Sequence, residues 1–176
     1  MQDEQMFSDT GGGESYNLAM LAGINLDDVE AIRRITYPVG FYRFRCTKAH
    51  LTVGKMKGRD APSIQFELVI RDVIELADPE LQATSEKYVG KKYTERFTVY
   101  DNALETIGQS KAFMLDTGYG ASGALQEVLA SYVDHEFVGF MMHKPDKDDK
   151  DKIYANIDRD RLKKCQERFG PEAQAA

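Results

Sequence analysis

Polar and apolar residues alternate along much of this chain. Over residues 39–49, Tyr42, Phe44 and Cys46 take one parity, and Phe41, Arg43, Arg45 and Thr47 take the other. A period of two puts successive side chains on opposite faces of a strand. Residues 63–75 repeat it with Ile64, Phe66, Leu68 and Ile70. Residues 91–100 predict a third strand, with Tyr93, Phe97 and Val99 on one face and Lys92, Arg96, Thr98 and Tyr100 on the other. Gly54-Lys55-Met56-Lys57-Gly58 reads as a basic loop, and Asp78-Pro79 opens a polar connection that runs to Gly90.

The period then changes. Asn102 and Glu105 have capping-box spacing. Leu104, Ile107, Met114 and Leu115 predict one apolar stripe on a helix over 102–116. After Gly118-Tyr119-Gly120 a second helix is expected from Ser122, carrying Leu125, Val128, Leu129 and Tyr132. Strands at 136–143 and 152–158 follow, joined by a charged hairpin tip at 144–151. A short basic helix is expected over 159–169, with fraying from Pro171. Near the start, Asn25 suits the cap of a helix over 26–34, with Asp27 and Asp28 in its first turn and Arg33 and Arg34 in its last. Tyr37-Pro38 would end it.

Strand, strand, strand, helix, strand, strand is the chain order of an OB-fold, a partly open five-stranded Greek-key barrel. The expected fold is therefore mainly β with helices (α+β): an OB barrel with a helical insertion between strands 3 and 4. Residues 1–36 form an acidic N-terminal arm with a short helix, 37–158 the OB domain, and 159–176 a C-terminal helix and tail.

Charge sharpens the picture. The chain of 176 residues carries a net charge of -6, yet the charge is unevenly placed. Residues 1–30 hold seven acids and no Lys or Arg. Residues 39–59 hold Arg43, Arg45, Lys48, Lys55, Lys57 and Arg59 and no acid. A local basic stretch in an acidic protein says more about partners than the total does. The two cysteines, Cys46 and Cys165, belong to no CxxC or Cys/His cluster, which argues against a disulfide framework or a structural zinc. No apolar run reaches bilayer length, and Met1-Gln2-Asp3-Glu4 does not open a signal peptide. A cytoplasmic location without membrane contact is the expectation.

Single-stranded nucleic acid needs cations for phosphates and rings for bases. Candidate contacts are Phe41, Arg43 and Arg45 on strand one, Lys55 and Lys57 in the first loop, Lys92, Arg96 and Tyr100 on strand three, and Tyr154 on strand five. The competing reading is that outward cations only protect sheet edges. Asp146, Asp148, Asp149 and Asp151 suggest a cation loop, but interleaved lysines and the absence of a turn glycine and a closing glutamate favour a solvated turn. His50, His135 and His143 fall in no catalytic spacing, so neither an enzyme nor a cofactor is expected. The acidic N-terminal segment reads most simply as a solvated tail, and the alternative is an interaction arm that competes with nucleic acid for the basic groove.

Tyr37-Pro38-Val39-Gly40-Phe41-Tyr42-Arg43-Phe44-Arg45 resembles the lead-in to the first strand of phage single-stranded-DNA-binding proteins of the OB type. Gly90-Lys91-Lys92 with Glu95-Arg96-Phe97, Ile107-Gly108-Gln109-Ser110-Lys111, Phe137-Val138-Gly139-Phe140 and His143-Lys144 extend the resemblance over 37–158. It implies a non-catalytic protein that coats single-stranded DNA during phage replication and recombination, in the host cytoplasm, with replication or recombination proteins as partners. Many such proteins end in an acidic tail. This chain ends Pro171-Glu172-Ala173-Gln174-Ala175-Ala176, and its acid lies at the other end. The rival readings are a protein-binding OB module acting as a structural or assembly subunit and, behind it, a metal-dependent nucleic-acid-processing enzyme. RNA in place of DNA, and a homo-oligomeric state, stay open.

Overall fold

The computed structural model describes residues 22, 23, 25, 36–56 and 58–171. The arm and its helix over 26–34 lie outside these residues, apart from Ala22, Gly23, Asn25 and Thr36. Two long strands, β1 (Gly40–Met56) and β2 (Arg59–Leu76), form an antiparallel hairpin. Both run further than the alternation suggested. The glycine-flanked stretch is not a loop: Met56 pairs with Arg59, so the turn is only two residues long. Such turns need left-handed backbone, and Gly58 supplies it with φ 75°.

A short helix α1 (Pro79–Gln82) and a 3-10 turn (Ser85–Tyr88) fill the connection to β3 (Lys92–Thr98). Helices α2 (Ala103–Asp116) and α3 (Leu125–Tyr132) follow, then β4 (Glu136–Pro145) and β5 (Ile153–Ile157). A 3-10 turn at Arg159–Arg161 leads into α4 (Leu162–Phe169). The Asn102 side chain caps α2 by accepting from the Glu105 amide at 3.2 Å, as its spacing predicted. No helix of the described residues is long and apolar enough to cross a membrane.

The fold is α+β. Its five strands form one open antiparallel sheet in the order β3-β2-β1-β4-β5. The first four strands make a Greek key, because β4 returns by a long connection to lie beside β1. Three register shifts in the β1–β2 pairing mark bulges that bend the sheet, with Ile74 and Arg71 extra on β2 and Thr47 extra on β1.

The inner face packs on α2 and α3 through aromatic rings. Phe66 meets Phe113 at 5.1 Å and Tyr132 at 5.2 Å between centroids, and Phe137 meets Phe44 at 5.5 Å. The expected stripe on α2 needs correction. Leu104 is 80% exposed and Leu115 49%, whereas Thr106, Ser110, Phe113 and Met114 are buried. Small polar residues occupy the inner face because their hydroxyls return hydrogen bonds to helix carbonyls, as Ser110 does to Ile107 at 2.8 Å. Helix α4 lies along β4 where β5 does not reach. There the Gln166 amide accepts from the Val138 N–H at 2.9 Å and donates to its carbonyl at 2.6 Å, supplying the strand's missing ladder partner.

The edge strands β3 and β5 share no backbone ladder, yet side chains tie them together. Glu95 is turned inward from β3 and is 5% exposed. Arg159, just beyond β5, grips its Oε1 with both Nε and Nη2, and lies 4.0 Å over the Phe97 ring. The Tyr93 hydroxyl donates to Glu95 Oε2 at 3.0 Å and accepts from the Ile157 N–H at 3.3 Å. Burial raises the Glu95 carboxyl above its usual range, and Arg159 pulls the other way.

A carboxyl raised on folding contributes stability at low pH that is lost as pH rises through its folded value. Removing Arg159 leaves the buried charge alone. Arg159→Ala should cost about 2–3 kcal/mol near neutral pH, below the range for a wholly buried pair because the Arg159 side chain is 44% exposed. The loss should shrink from neutral to acid pH as Glu95 takes up a proton. Urea unfolding across that pH range measures it, and a pH-independent loss would show that the pair carries no such strain.

Candidate nucleic-acid interface

Strands β1, β2 and β3 present a second face, away from the core. Pairing registers align its residues in cross-strand rows: Arg45, Val69 and Lys92; Lys48, Glu67 and Thr94; His50, Gln65 and Arg96; Thr52, Ser63 and Thr98. Adjacent rows stand two residues apart, or about 7 Å. Each row places β1 and β3 residues about 10 Å apart across β2. The hairpin continues beyond these rows as a ribbon toward Lys55 and Arg59.

Among the sequence candidates, Lys92 and Arg96 stand on this face along β3, and Arg45 joins the Lys92 row from β1. Arg96 donates to Gln65 Oε1 from Nη2 at 2.7 Å and from Nε at 3.2 Å. It crosses β2 to reach Gly54, where a Cβ would come within 3.5 Å of its Nη1. Arg45 is held by Asp134 at 2.5 Å, so a neighbouring acid already offsets its charge. Arg43 stands opposite Asp72 on β2 and Val138 on β4, and forms no ion pair among the described residues. Lys55 is exposed on the ribbon, across from Asp60. Lys57 lies outside the described residues.

The rings divide differently. Phe41 packs against Phe140 at 4.8 Å and Phe169 at 5.0 Å, with Arg168 over it at 5.2 Å. It is thus part of the anchorage of α4, with its faces occupied. Tyr100 sits just past β3 and is 68% exposed. Tyr154 is half-buried on β5, and its hydroxyl interacts with Asp146.

The Asp146–Asp151 tip is a turn held by its own carboxylates. Asp146 Oδ1 accepts from the Asp148 N–H at 2.8 Å and the Asp149 N–H at 3.2 Å. These backbone bonds, with the Tyr154 hydroxyl, lower the Asp146 carboxyl below its usual range. Among the described residues, no group of three or more His, Cys, Asp or Glu is placed to hold a metal ion. Burial pushes the Cys46 thiol up to about 12 and Cys165 to about 11, so both stay protonated at neutral pH.

Sequence reasoning missed Lys48, His50 and Gln65 as members of the face. For Lys48 and His50 parity alone could not reveal this, because the bulge after Cys46 shifts the register of β1, whereas Gln65 has the outward parity but no charge to single it out. It also missed Arg159, which reads as helix-start polarity until β5 is placed beside β3. The chain matches no protein-family model, and no curated protein matches it by sequence.

The two classes of ring respond differently to truncation. Phe41→Ala should lower stability by about 2 kcal/mol, under the range for a fully buried Phe because this ring is only half-buried. Tyr100→Ala should stay within about 0.5 kcal/mol of the parent. Thermal or urea unfolding of the two variants checks this, and an equal loss in both would mean that Tyr100 also serves as packing.

Proposed function

We propose that this domain binds single-stranded DNA with little sequence preference, and that its sheet is an OB-type barrel closed at β3 and β5 by side chains instead of a ladder. The carrying observation is the registered outer face of β1–β2–β3, with Lys48, Lys92 and Arg96 on it and Lys55 on the ribbon beyond. In OB barrels the oligonucleotide lies across strands two and three, between the loops joining strands one to two and four to five. Here those flanks are the Lys55 ribbon and the 146–152 tip.

Lysines and arginines contact phosphates without regard to sequence. Tyr100 and Tyr154, at the two ends, offer rings for bases. The resemblance to phage proteins supports a role in replication or recombination of phage DNA in the host cytoplasm, with proteins of that machinery as partners and no catalytic step. RNA would be accepted only if the face tolerates the 2′-hydroxyl.

One observation favours the rival protein-binding module. Leu51 is 57% and Val53 66% exposed on the ribbon, an apolar pair that suits a protein partner.

Fluorescence anisotropy with labelled oligo-dT at several salt concentrations separates the two. Single-strand binding should weaken with salt by a slope of about 0.7 per phosphate contacted, and duplex should compete poorly. Lys55→Ala with Lys92→Ala should weaken binding and flatten that slope by about 1.4. Arg45→Ala should do less, because Asp134 already offsets it. Absence of binding at low salt would overturn the reading and favour the protein-binding module.

A further inference from the structure

We propose that the cleft between the end of β3 and the start of α2 is a single-base subsite that prefers a base bearing an exocyclic amino group over thymine. This inference rests on the single-strand reading of the neighbouring face. The cleft measures about 350 Å³ and is bordered by Arg96, Tyr100, Asp101, Glu105, Gln109 and Arg159. It lies beside Arg96 and next to the Thr52–Ser63–Thr98 row, so a strand laid along the rows arrives at it.

Its walls carry opposite charges. Arg96 and Arg159 come from the sheet side; Asp101 and Glu105 come from the turn and the helix. Arg159 is fixed by Glu95 and by the Phe97 ring, so it is not free to swing across and neutralise Glu105. The side chains of Asp101, Glu105, Gln109 and Tyr100 make no hydrogen bond or ion pair among the described residues.

With two arginines and two carboxylates the cleft holds no net charge to draw a phosphate in, and its carboxylate wall is left to the base. A carboxylate only accepts hydrogen bonds, so it selects for N–H donors. Cytosine offers its N4 amino group, whereas thymine offers O4, an acceptor, at the equivalent place. Tyr100 supplies a face for stacking that favours no base. Gln109 can donate or accept beside it. Discrimination therefore falls on Asp101 and Glu105.

The full chain is titrated with labelled oligo-dC and oligo-dT of about 15 nucleotides, near the upper site size of one OB module. Both are pyrimidine strands of equal charge, so non-specific electrostatics cancel in the ratio of affinities. The parent should bind oligo-dC about fivefold tighter than oligo-dT. Asp101→Asn with Glu105→Gln should bring the ratio close to one, even if the lost negative charge tightens both complexes. Tyr100→Ala should weaken both strands. Thermal melts confirm that the variants, all of exposed residues, remain folded. Binding with equal affinity in the parent, or a ratio unchanged in the double variant, would overturn the subsite and leave the single-strand reading standing. Failure of both oligonucleotides to bind would overturn the two together.

Discussion

A single buried carboxylate constrains this structure more than any other group. Glu95 lies on the inner face of β3, where a charge is costly unless it is paired and hydrogen-bonded. Its partners come from two places, Tyr93 on its own strand and Arg159 past the end of β5, and the guanidinium in turn lies over the ring of Phe97. Burial keeps the Tyr93 hydroxyl protonated, so it can donate to the carboxylate. Satisfying Glu95 therefore fixes where β5 ends relative to β3. That in turn sets the 146–152 tip and places Arg159 at the side of the cleft. The bond that ties the sheet edges together also shapes the surface beside them.

The two faces of the sheet have separate tasks, and β1 serves both. Its first six residues are flanked by β2 and β4 and carry the aromatic packing of the interior. Beyond Cys46, which still bonds Asp134 and His135 just ahead of β4, β1 continues with β2 alone. A bulge after Cys46 carries the alternation across this change, so Lys48 and His50 take the outer face while Ala49 keeps to the inner side. The ribbon thus extends the outer face beyond the core. Exposed Leu51 and Val53 are the consequence: they hold inward parity where no interior remains to receive them.

Much of this was legible because period-two alternation holds over Tyr42–Cys46 of β1, Ile64–Ile70 of β2 and Tyr93–Phe97 of β3. The inner residues Phe44, Phe66, Leu68 and Phe97 were read correctly from spacing alone. Three things were not legible. Glu95 interrupts the apolar parity of Tyr93, Phe97 and Val99, and what justifies it there lies 64 residues away at Arg159. Leu104 and Leu115 looked like core because helical spacing cannot say which face meets the sheet, and the inner face went to Phe113, Met114 and two hydroxyl residues. Phe41 looked like an available ring because its partners, Phe140 and Phe169, come from distant segments. In each case the missing information was tertiary pairing across a long sequence separation.

The allocation of charges ties these observations together. Arginines supply the cation in the ion pairs of the described residues, with His50 beside Glu67 as the exception, and no lysine there makes one. The difference is physical. A planar guanidinium fork holds a carboxylate in fixed geometry, whereas an ammonium is a compact charge on a flexible stem. Arg45, Arg71, Arg159 and Arg168 act as struts, and their charges are matched locally. Lys48, Lys55 and Lys92 are left unmatched on the outer face and ribbon, which suits a ligand whose phosphates shift along the groove. Arg96 combines the two behaviours. Its partner Gln65 is neutral, so its orientation is set while its charge stays available to a phosphate. An acidic protein can present a basic surface in this way, because among the described residues several arginines are each tied to an acid while Lys48, Lys55 and Lys92 form no ion pair.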